Sequence, residues 1–115
     1  MTLGEKQRLF VRLVGELIRF AYASGYELTF GDAYRSPEQA KANAAAGSGI
    51  ADSLHTQRLA IDLNLFKEGI YVTDSAAYKP LGDFWKGLDA GCCWGGDFVT
   101  RADGNHFSIQ HNGVK

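Results

Sequence analysis

Cysteine is scarce in this sequence: Cys92 and Cys93 are the two among 115 residues, and they are adjacent. Neighbouring cysteines bridge each other only with strain, so the chain has no disulfide framework. Reduced thiols in a protein made in the cytoplasm are the simplest reading. Net charge is nearly missing too. Twelve basic side chains stand against 13 acidic ones, a formal −1, which argues against bulk electrostatic binding of nucleic acid or anionic lipid. No apolar run approaches the ~20 residues a membrane span needs. The N-terminus, MTLGEKQR, interrupts its apolar residues with charges and does not resemble a secretory signal. A protein of this kind that acts outside a cell has to be released by something else. The remaining composition, 45% hydrophobic and 22% charged, is that of an ordinary globular fold, and the length suits one domain.

Periodicity places the elements. Residues 5–24 carry Leu9, Leu13, Leu17 and Phe20, with Phe10, Val14, Ile18 and Ala21 alongside, at the spacing of one amphipathic helix, and Gly25 stops it. Residues 27–34 alternate as a strand ending near Arg35. Ser36-Pro37 then opens an Ala-rich helix running to about Ala46, before a Gly47-Ser48-Gly49 loop. Residues 59–66 alternate strictly, with Leu59, Ile61, Leu63 and Leu65 on one face and Ala60, Asp62, Asn64 and Phe66 on the other. Tyr71-Val72-Thr73 is a short candidate partner after the Gly69 turn. Residues 75–90 pass from loop into a helix with Phe84, Trp85 and Leu88, closed by Gly91. Residues 94–98 and 103–105 read as loop and turn, and 106–109 as a final strand. The fold class expected is α+β, a small single domain with an antiparallel sheet flanked by helices.

Three histidines offer chemistry: His55, His106 and His111. Asp62 sits mid-strand among Leu, Ile and Ala, where a buried carboxylate is costly unless paired or bound to a metal; the plain alternative is a solvent-facing position. An extended chain from His55 to Asp62 would span ~23 Å, and a continuous helix ~10 Å. To share a metal, the chain must bend through Thr56-Gln57-Arg58. Further on, Asp103 and His106 flank a Gly-Asn turn, which can set carboxylate beside imidazole or be a hairpin turn whose Asp caps backbone amides. Taken together, His55, Asp62 and His106 are a two-His, one-carboxylate set, the three-ligand arrangement of catalytic zinc, and Asp103 is a nearby carboxylate free to act as base. The HExxH helix of the familiar zinc peptidases is absent. His111 lies in a polar tail and reads as solvated. Cys92 and Cys93 read as small buried apolar residues, and Trp94 and Phe107 as core or cleft wall.

These residues carry a resemblance. SLHTQRLAID, residues 53–62, resembles the SxHxxGxAxD motif of the VanY-like D-alanyl-D-alanine carboxypeptidases and L-alanyl-D-glutamate endopeptidases of peptidase family M15. WGGDF followed by DGNHF is similar to the closing motif of the same group, and Tyr34-Arg35-Ser36 matches its upstream element. The resemblance implies a Hedgehog/D-Ala-D-Ala peptidase-like fold with a zinc site at the sheet. It implies His55, Asp62 and His106 as Zn2+ ligands and Asp103 as general base. Arg35 matches the arginine that polarises the scissile carbonyl or holds a substrate carboxylate, and Ser53 a substrate-contacting serine. An aspartate as base resembles the phage endolysin branch, which cuts between L-Ala and D-Glu of the peptidoglycan stem. Arg58 departs from the pattern, standing where the motif has glycine. If the bend needs a positive φ there, Arg bears a steric cost that Gly would not; its side chain is also a candidate for reaching a substrate carboxylate.

The expectation is therefore a single catalytic domain over residues 1–115 without a separate wall-binding domain. It would be a monomer that binds neither nucleic acid nor membrane and is held in the host cytoplasm until released to the wall. Alternatives are a D-alanyl-D-alanine carboxypeptidase, a non-catalytic zinc-stabilised binding module, and a metal-free glycan-cleaving lysozyme with a carboxylate pair.

Overall fold

The computed structural model describes residues 1–47 and 53–115; Ser48 and Gly49 of the expected loop lie outside the described residues. Helix α1, Leu3–Ala23, opens on a capping box in which the Glu5 amide donates to Thr2 Oγ1 and the Thr2 amide to Glu5 Oε1. It buries Phe10, Leu13, Val14, Leu17 and Ala21, the stripe read from its periodicity. Strand β1 is Tyr26–Phe30, ending four residues earlier than the alternation suggests. Helix α2, Pro37–Ala45, starts at the Ser36 cap, whose hydroxyl accepts from the Gln39 amide. A 3₁₀ turn, Leu54–Gln57, leads into β2, Ala60–Lys67. Glu68 and Gly69, both at positive φ, then turn the chain back into β3, Ile70–Val72, the two-residue geometry favoured by tight hairpins. A second 3₁₀ turn, Ser75–Tyr78, enters α3, Lys79–Leu88, and the chain closes with β4, Cys92–Trp94, and β5, His106–Ile109.

The sheet runs β1-β2-β5-β4, with β3 also on β2, and every pairing is antiparallel. Strand β2 divides its partners: Ala60, Ile61 and Asp62 lie opposite Ser108, Phe107 and His106 of β5, whereas Leu65, Phe66 and Lys67 pair with β3. Since side chains alternate across a strand, Ile61 and Phe107 point into the core and Asp62 and His106 share the other face. Helices α1 and α3 fill the core side. Trp85 meets Phe10 and Phe107 edge to face at 5.7 and 6.1 Å, and Phe20 stacks on Phe84 at 4.1 Å. Trp85 Nε1–H donates to the carbonyls of both Cys93 and Ser108, tying α3 to β4 and β5 at one point. Tyr78 does the same for β2 and β3, accepting from the Leu65 amide and donating to the Val72 carbonyl.

The α+β reading and the antiparallel sheet hold. Three local expectations do not. Trp94, read as the start of a loop, is the last residue of strand β4, and residues 31–34 leave the ladder. His111 is not a solvated side chain: it is half-buried, Lys6 Nζ donates to its Nδ1 at 3.2 Å, and its backbone bridges to Val114. Cys92 is buried, and burial pushes its thiol up to about 12, which keeps it protonated and fits the small-apolar reading. Among the described residues, no helix is long and apolar enough to cross a membrane.

Candidate metal centre

The segment 31–35, which leaves β1 early, is what holds the first two candidate ligands in place. The Gly31 amide donates to the Asp62 carbonyl, and the Asp62 amide to the Asp32 carbonyl, each at 2.8 Å. The Arg35 amide donates to the His55 carbonyl. Gly31 is needed for this approach, because a Cβ there would come within 3.0 Å of Asp62 Cβ. His55 sits in the 3₁₀ turn, where the Ser53 hydroxyl oxygen accepts the His55 amide and the Ser53 carbonyl accepts from Thr56. The required bend is completed by Arg58 at φ 57° and ψ 36°, the left-handed region. For a non-glycine residue that conformation costs about 1–2 kcal/mol. Arg58 therefore carries the strain the motif's glycine would avoid.

His106 arrives from the other side. It is paired with Asp62 across the ladder, and its amide donates to the Asp103 carbonyl at 3.1 Å. The three side chains converge, with one ligand atom from each of His55, Asp62 and His106 lying within 4.8 Å of the others. Asp62 Oδ1 is 3.3 Å from His55 Nε2 and 3.5 Å from His106 Nδ1, yet it is buried and makes no aligned hydrogen bond to either. His55 Nδ1–H is directed to the Ala33 carbonyl at 2.9 Å, which in the neutral ring leaves the Nε2 lone pair facing the carboxylate. Two electron-rich atoms held that close call for a proton or a metal ion to be shared between them. The site fits a metal ion, and two imidazoles with one carboxylate is a donor set that suits zinc. The backbone bond that orients the His55 ring is the usual support behind a metal-binding imidazole.

Burial opposes the charged forms of both His55 and Asp62, but the His106 and His55 imidazoles outweigh it for Asp62, and Asp62 outweighs it for His55. The Asp62 carboxyl is held at about 2 and the His55 imidazole above its ordinary value of 6.5. Without metal, the Asp62 contribution is present above its ordinary 3.8 and lost as pH falls toward 2. The His55 contribution is complete below 6.5 and lost as pH rises through its raised value. The chelated protein should thus lose stability as pH rises above about 6.5. Metal, which needs neutral imidazoles, should add more over the same range. Thermal unfolding at pH 6 and pH 8, with and without chelator, checks this: the gap between the two forms should widen at the higher pH.

Asp103 is not among the converging ligands. Its side chain is exposed, on the turn immediately before β5, with its amide donated to the Gly95 carbonyl at 2.9 Å. Next to it, the Gly104 amide donates to Ser75 Oγ and the Gly104 carbonyl accepts from Trp94 Nε1. The turn is thus fixed by backbone bonds, with the carboxylate left outward. Arg35 is mostly covered, its side chain 15% exposed; one terminal nitrogen pairs with Asp32 at 2.8 Å, while Nε is buried with no partner among the described residues. Ser53 is buried, and with its oxygen accepting from His55 its hydroxyl proton is left to donate. Sequence reading gave no role to Ser75, Gly95 or Tyr34. The WGG pattern was the available signal for Gly95, whereas nothing local marks Ser75.

A family model described as D-alanyl-D-alanine carboxypeptidase, of peptidase family M15, matches residues 46–109. The chain belongs to peptidase family M15. Among solved structures, the L-Ala D-Glu endopeptidase ChiX of Serratia marcescens is similar, with TM-score 0.73 and 21% identity, over 93% of this chain and 85% of that one. So is the vancomycin-resistance D,D-pentapeptidase VanY from a VanB-type cassette, solved with Zn(II), at TM-score 0.60 and 19% identity, over 87% of this chain and 70% of that one. No curated protein sequence matches. The M15 fold thus extends over nearly the whole chain, with the His55, Asp62 and His106 cluster inside the matched segment.

Proposed function

We propose that this M15 peptidase is a zinc enzyme of bacterial peptidoglycan that hydrolyses the L-Ala–D-Glu bond of the stem peptide. In this reading it acts as a monomeric phage or prophage endolysin, held in the host cytoplasm until it is released to the wall. The observation that carries the hydrolytic reading is Asp62 Oδ1, buried between two imidazole nitrogens without an aligned hydrogen bond. Zinc bound by His55, Asp62 and His106 would supply Lewis acidity for the carbonyl and activate water. Asp103, exposed on the adjoining turn, takes the proton of the attacking water and passes it to the leaving amine. Arg35 offers its Nε–H, unpartnered among the described residues, to the charge developing on the carbonyl oxygen. Ser53 offers its hydroxyl proton to the bound peptide. The choice of bond rests on the base being an aspartate, the trait that resembles the endolysin branch. The family description favours a second reading, removal of a terminal D-Ala.

Mass spectrometry of purified peptidoglycan digested with the protein separates these readings. New N-terminal D-Glu with L-Ala retained on the glycan, abolished by chelator, is the expected result. Loss of terminal D-Ala alone would select the carboxypeptidase. New reducing sugar ends insensitive to chelator would overturn the peptidase reading.

A further inference from the structure

Arg58 has an expensive backbone and a well-placed side chain. Its amide donates to the His55 carbonyl, which also takes the Arg35 amide, so both arginines start from the same oxygen of a candidate ligand. Its guanidinium lies over the Tyr34 ring, 4.1 Å from the centroid. Tyr34 is fixed between Ala33, whose carbonyl orients the His55 ring, and Arg35. Both side chains of the stacked pair are exposed, and among the described residues no carboxylate pairs with Arg58, in contrast to Arg35 with Asp32. Stacking on an aromatic face holds a guanidinium flat and limits its motion while leaving its edge donors for a planar anion. A strained residue beside a site is a reason to look for function there.

We infer that Arg58, held on Tyr34, is a specificity-determining subsite for the carboxylate of the leaving fragment. The inference rests on the peptidase reading above. In both candidate substrates the carbon bearing the scissile nitrogen also bears a carboxylate. It is the terminal group in D-Ala-D-Ala and the α-carboxylate of a D-Glu that continues through its side chain. A guanidinium fork suits that group. Arg35 is then left for the carbonyl, so the two arginines divide the work.

The test compares a stem peptide with its analogue carrying a carboxamide at that position, in zinc-loaded wild type and Arg58→Gly. Turnover is read directly, and equilibrium binding is measured with ketomethylene versions of both peptides, which cannot be cut. Wild type should prefer the acid by about 30-fold in kcat/KM and in binding, the scale of one charged hydrogen-bonded contact. Arg58→Gly should reduce the preference to within about 3-fold, chiefly through KM, and Arg58→Lys and Tyr34→Leu should give intermediate ratios. Thermal unfolding of Arg58→Gly at or above the wild-type midpoint shows the loss is not a folding defect, since glycine relieves the left-handed position. An unchanged acid preference in Arg58→Gly with active enzyme overturns the subsite and leaves the peptidase reading standing. Arg58-dependent binding of the acid without hydrolysis by wild type overturns the peptidase reading and retains the subsite. Failure to bind either peptide overturns both.

Discussion

Asp103→Ala should lower kcat on a stem peptide by about 10²–10⁴-fold, the range that a positioned general base contributes, while bound zinc stays at one equivalent per chain. Its carboxylate is exposed and lies outside the cluster of converging ligand atoms. The turn that carries it depends on main-chain bonds: Asp103 N–H to the Gly95 carbonyl, the Asp103 carbonyl from His106, and Gly104 to Ser75 and Trp94. Removing the side chain leaves those bonds in place. His106→Ala is the contrasting variant, losing metal and turnover together. Metal content by atomic spectroscopy beside steady-state kinetics separates the two outcomes, and an Asp103→Ala protein with near wild-type turnover would remove the base assignment.

Gly95→Ala should be severely damaging. A Cβ at Gly95 would fall inside the Asp103 carbonyl oxygen and come within 2.8 Å of His106 Cβ. Neither obstacle is the loose end of a flexible side chain; one is backbone of the base's turn, the other the root of a ligand. The Gly95 carbonyl is also the acceptor for Asp103 and Phe98. Relief requires the turn to move away from the site. A destabilisation of about 3 kcal/mol is expected, at the upper end for inserting atoms into a packed region. Displacement of the reacting groups by an ångström would further cost about 10²-fold in turnover of the folded fraction. Gly15→Ala provides the internal comparison. Nothing lies within 4 Å of that position in α1, so the same change there should stabilise the protein by about 0.5–1 kcal/mol. Denaturant melts of both variants check the opposite signs.

The contrast between those glycines shows what was legible in the sequence. Elements whose cause is local were readable: the apolar stripe of α1, the Ser36-Pro37 start of α2, and the alternation of residues 59–66, which falls within one residue of β2. The left-handed residue after the His55 turn was readable too, through the glycine that the motif has at Arg58. Features caused at a distance were not. Residues 27–34 alternate as far as Tyr34, but the amides and carbonyls of Gly31, Asp32, Ala33 and Arg35 bond to Asp62 and His55, partners 20 to 31 positions away by number. Strand β4 is three residues between glycines, too short to show a period, and it forms because β5 and Trp85 receive it. His111 looked solvated because Lys6 lies at the opposite end of the chain. For the site, residue types and spacing gave a candidate set. That Asp62 faces two imidazoles rather than water follows from its pairing opposite His106, which no local window contains.

That opposed pair has a mechanical consequence. Asp62 and His106 are rungs of the same ladder on neighbouring strands, at the point where β2 exchanges β5 for β3 as its partner. An ion held by both would rivet the sheet there, and through His55 it would clamp the turn preceding β2 as well. The joint lies where the N-terminal part of the chain meets the strand pair contributed by its C-terminal end. Losing the ion would therefore loosen the seam between these parts before it disturbed either of them, so that cofactor loss and local opening of β5 become one event.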